Sequence, residues 1–80
     1  MEISIELFLH DEPVQLTADF WSEEDYIVCD IHAAKIIYKG VDVQNILYLN
    51  QINDLARQLN NKQSELIKKF KEQYDIHDHL

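Results

Sequence analysis

The chain has 80 residues, 46% of them apolar, with one Gly, one Pro, one Cys and a net charge of −8. This is the size of a single small domain (1–80), whose core is marginal unless the protein is stapled, idealised or oligomeric. A lone Cys29 excludes an intramolecular disulfide and points away from a secreted disulfide scaffold, so the cytoplasm is the expected compartment. No apolar run reaches the length of a membrane span, and the first residues are acidic where a signal peptide would be basic.

In chain order, Ile3, Ile5, Leu7 and Leu9 alternate with Glu2, Ser4, Glu6 and Phe8, the period of a half-buried strand over 2–9. His10-Asp11-Glu12-Pro13 reads as a turn. Val14, Leu16, Ala18 and Phe20 then alternate with Gln15, Thr17, Asp19 and Trp21, giving a second strand over 14–21 and an antiparallel hairpin. After the polar break Ser22-Glu23-Glu24-Asp25, a third strand is expected over 26–39. Its apolar parity changes between Ile27, Cys29, Ile31 and Ala34, Ile36, Tyr38, which suggests a bulge near His32-Ala33, with two shorter strands as the competing assignment.

Gly40 closes that strand in a turn that requires an unusual backbone angle, and Asp42 is placed to accept from backbone N–H groups of a short turn over 43–48. Asn50 is a second candidate cap. From Ile52 onward Leu55, Ala56, Leu59, Leu66, Ile67, Phe70 and Tyr74 follow helical spacing. They predict one helix over 51–74, kinked at Asn60-Asn61, with a frayed tail over 75–80. The expected fold is α+β: a three-stranded antiparallel sheet with a long C-terminal helix packed on one face. Its expected core is Ile3, Ile5, Leu7, Leu16, Phe20, Ile27, Ile31, Ile36, Leu55 and Leu59.

Charge is distributed unevenly. Glu2, Glu6, Asp11, Glu12, Asp19, Glu23, Glu24, Asp25 and Asp30 all precede Lys35, the first basic residue, and the remainder is nearly balanced. Such a field disfavours phosphate binding and favours a basic protein or nucleoprotein surface. Strand parity places Glu2, Glu6, Phe8, Asp19, Trp21, Tyr26, Val28, Asp30 and His32 on the face that the helix leaves open. Glu2, Glu6, Phe8, Asp19, Trp21, Tyr26 and Asp30 are therefore the candidate partner-binding residues, acids for steering and aromatics for desolvated contact.

Signals for chemistry are fewer. His77-Asp78-His79 with Asp75 offers ligand types in a terminal segment that reads as a polar tail, so no metal site or cofactor is expected. Cys29 and His32 are three apart on a strand and thus on opposite faces, which argues against a thiolate–imidazole pair. No Ser/His/Asp ordering is present, and an enzyme is not expected.

The stretch Ile36-Ile37-Tyr38-Lys39-Gly40-Val41-Asp42-Val43, followed by Leu47 and a helix, resembles a strand, G-V-D-[VI] turn and helix pattern of small acidic proteins of tailed phages and prophages. The resemblance spans about residues 31–59. Phage proteins of this size include inhibitors of host defence, anti-CRISPR proteins among them. It implies an accessory protein that binds and inhibits a basic, nucleic-acid-handling host complex. The alternative is an assembly module forming a homo-oligomer, for instance a dimer through Phe70, Tyr74 or the sheet edge.

Overall fold

The computed structural model describes the backbone of residues 1–78 and the side chains of residues 1–72. The fold is α+β, with five antiparallel strands and two helices. Strands β1 (Glu2–Leu9) and β2 (Glu12–Glu23) form the long hairpin, joined by a two-residue turn at His10 and Asp11. β3 (Tyr26–Cys29), β4 (Lys35–Tyr38) and β5 (Val41–Asp42) follow. The sheet order is β1-β2-β4-β5, and β3 also pairs with β2. Along the edge of β2 that β1 leaves open, β4 occupies Gln15 to Thr17 and β3 occupies Phe20 to Glu23.

The single third strand expected over 26–39 is thus two strands. Between them the chain leaves the sheet in a 3-10 turn (Ile31–Ala33), where the Asp30 carboxylate accepts from the His32 backbone N–H at 3.1 Å. That turn, rather than a bulge, absorbs the change of parity. Gln44 holds it from a distance, its amide donating to the Ile31 and Ala34 carbonyls. The expected turn over 43–48 contracts to a 3-10 turn (Gln44–Ile46), and Asp42 accepts from Gln44 N–H at 3.0 Å, as its position predicted.

Helix α1 (Leu49–Asn61) starts two residues earlier than expected. Its N-cap is Tyr48, whose N–H donates to the Gln51 side chain at 2.8 Å, so Asn50 lies inside the first turn and does not cap. α2 (Gln63–Asp78) is separate: Lys62, with φ −108 and ψ 24, breaks the helix one residue past Asn60-Asn61. A single long helix is therefore corrected to two. The helical backbone of α2 also runs beyond residue 74, through most of the expected tail. Neither helix is long and apolar enough to cross a membrane.

The core lies between one sheet face and the helices. Ile3, Ile5, Leu7, Val14, Leu16, Phe20, Ile27 and Ile36 come from the strands, and Leu55, Leu59 and Leu66 from the helices. Ile31, expected to be buried with them, is only half-buried because it sits in the 3-10 turn and packs against the core from its margin. Leu66, seven residues after Leu59, carries the buried face across the break.

Candidate protein-binding surface

The sheet face away from the helices carries the alternate residues of each strand, arranged in cross-strand rows. Phe8 stands opposite Pro13, Glu6 opposite Gln15, Ser4 opposite Thr17, and Glu2 opposite Asp19. Further along β2, Trp21 faces Val28 and Glu23 faces Tyr26, so two more acids in the turn, Glu24 and Asp25, crown this end of the sheet. The Ser4 and Thr17 hydroxyls lie 2.7 Å apart and tie the middle of the face together.

These rows sort the seven residues selected from sequence. Glu2, Asp19, Trp21 and Tyr26 gather at the end formed by the β2–β3 hairpin. Glu6 lies mid-face. Phe8 lies at the opposite end, because Pro13 and Trp21 are separated by eight residues of strand, about 26 Å. Asp30 is not on the face at all, since it has left β3 to cap the 3-10 turn, and His32 leaves with it. The face is also not of one sign: Lys35 stands opposite Thr17 on the same side. One acidic-aromatic sheet is therefore corrected to an acidic-aromatic end.

At that end Trp21 is 45% and Tyr26 58% exposed. The indole Nε1 donates to Glu23 at 2.9 Å, which fixes the ring beside the acids. Asp19 holds the amino group of Met1. Glu23 was missed in the choice of site residues, although its spacing of two from Trp21 on a strand places both on one side.

A second surface was also missed. Ile46, Tyr48 and Leu49 are among the most exposed large apolar residues described, and Ile46 and Tyr48 form part of the wall of a groove of about 360 Å³ that Leu9, Tyr38, Val43 and Leu47 also line. Its signal was present as Ile46-Leu47-Tyr48-Leu49, four consecutive apolar residues that no helical or strand period can turn inward together.

Cys29 is half-buried beside the core, and burial, followed by the nearby Asp30 charge, pushes its thiol up to about 11. A neighbouring imidazolium would act in the opposite direction. The thiol is protonated at neutral pH. Among the described residues no group of three or more His, Cys, Asp or Glu side chains is arranged to hold a metal ion. The His77-Asp78-His79 and Asp75 side chains, like that of Tyr74, lie outside the described residues.

No protein-family model matches the chain, and no curated protein or solved structure matches it significantly.

Proposed function

We propose that this protein is a binding module that captures a basic protein or nucleoprotein surface with the acidic-aromatic end of its sheet. The observation that carries this reading is the gathering of Trp21 and Tyr26, half-exposed, among Glu2, Asp19, Glu23, Glu24 and Asp25. Carboxylates raise the encounter rate with a cationic surface but bind weakly in water, whereas an indole and a phenol supply area whose desolvation slows release. Trp21, pinned by Glu23, loses little side-chain freedom on docking. The resemblance of the Gly40 turn region to phage accessory proteins suggests the class of partner, a nucleic-acid-handling host defence complex that the module inhibits.

The experiment is affinity capture from a bacterial lysate, followed by association and dissociation rates for the recovered partner. Asp19→Lys with Asp25→Lys should slow association roughly tenfold at low salt, and Trp21→Ala should speed dissociation by a similar factor. Glu6→Lys, mid-face, should do much less. Rates equal to wild type in the first two variants would refute the reading.

A further inference from the structure

We infer that two copies of this chain associate about a two-fold axis through the apolar surface at the start of α1, independently of the acidic end. Val41, Ile46, Tyr48 and Leu49 are 60%, 76%, 75% and 65% exposed, and they fall within nine residues of sequence. Val41 is the cross-strand partner of Tyr38 and so shares the side of the sheet on which Tyr38 lines the groove. Exposed side chains and an apolar groove, whose wall includes Ile46 and Tyr48, thus occupy one surface. A two-fold axis sets this surface against its own copy, and the contact closes without leaving a second patch exposed.

The area suffices for a specific dimer. At those exposures the four side chains present on the order of 500 Å² per copy, so a two-fold contact covers roughly 1,000 Å² in total, where specific interfaces begin. A patch of this size is as large as the largest apolar patch on a typical monomeric domain, and patches of that size commonly mark contact surfaces. Electrostatics also allow it. The acidic end lies at the far end of β2, whose 12 residues span about 40 Å, so the strongest like charges stay apart when the copies meet at the groove. Both signs lie near the groove: Lys39 Nζ sits 5.2 Å from the centre of the ring of Tyr38, which lines it, and Glu12 lines it with His10.

The test is sedimentation equilibrium of the full chain from about 1 to 500 μM, at low and high salt. The mass should rise from 9.5 kDa toward twice that value, and added salt should not weaken the dimer. Ile46→Asp and Tyr48→Asp should each raise the dimer dissociation constant at least tenfold with the circular dichroism spectrum unchanged, as expected for side chains three-quarters exposed. Asp19→Lys, at the other end, should leave dimerisation intact, which separates this inference from the proposed binding function. A 9.5 kDa species throughout the range, or a dimer indifferent to both apolar substitutions, would overturn it.

Discussion

His10 and Asp11 connect β1 to β2 at φ 52 and 64, and Lys39 and Gly40 connect β4 to β5 at φ 50 and 83. Two successive residues in the left-handed region give the turn whose twist matches a hairpin, and Asn-Gly is its preferred filling. Only one of these four positions has it. A Cβ added at Gly40 meets nothing within 4 Å, so the cost of Gly40→Ala is the backbone angle alone, about 1 kcal/mol. Asp11→Gly should act in the opposite direction, gaining a few tenths of a kcal/mol because Asp already tolerates this region better than most residues. Urea midpoints read both; shifts of the same sign would mean that the angles are not what decides. Pro13, expected in the turn, lies in β2 instead. It loses no bond there, because its nitrogen points away from β1 and β4 begins only opposite Gln15.

The free edges of β1 and β3 are clamped at points by side chains from the helical segment. Gln58 accepts from Phe8 N–H at 2.8 Å and donates to the Phe8 carbonyl at 2.6 Å, and Lys62 donates to the Glu6 carbonyl at 2.9 Å. On β3, Gln63 makes the same pair of bonds to Ile27, both 2.9 Å. An amide thus stands in for the neighbouring strand that an edge would otherwise recruit. The two clamps differ in solvent. Ile27 is buried and Phe8 is exposed, so Gln63→Leu should cost about 1–2 kcal/mol and Gln58→Leu clearly less, water replacing the second amide but not the first. Equal losses in thermal unfolding would show that burial does not set the difference. Such contacts explain what the sequence hid. The alternation of Ile3, Ile5 and Leu7 is a local signal, and it gave the first hairpin and the core face. The break after Cys29 depends on Gln44, and the helix break at Lys62 falls between Leu59 and Leu66, whose seven-residue spacing also fits an unbroken helix. Parity assigns every site residue except Asp30 to the correct face, but which of them meet depends on pairing register, such as Glu2 with Asp19, and parity alone does not give it.

Charge is uneven along the chain: acids crowd the β2–β3 hairpin, while Lys68, Lys69 and Lys71 follow on α2. Like charges gathered at one end repel in the folded state and separate when the chain unfolds, so that end destabilises the fold at low ionic strength even as it favours a cationic partner. Asp25 isolates the effect. It is exposed and sits between Glu24 and Tyr26, and unlike Glu24, with φ 56, it is not held at a positive φ, so replacing it changes charge without releasing backbone strain. Asp25→Lys should raise the melting midpoint by roughly 1–3 °C near 20 mM salt, and the gain should shrink toward zero near 0.5 M, where the screening length falls below the spacing of the acids. Asp25→Asn should give about half the gain, since it removes a charge without reversing one. Glu65→Lys supplies the control of opposite sign: Glu65 pairs with Lys62 at 4.0 Å, so its reversal should lower the midpoint at low salt. If Asp25→Lys left the midpoint unchanged at 20 mM while Glu65→Lys lowered it, the acids of the β2–β3 end would be too far apart to repel one another.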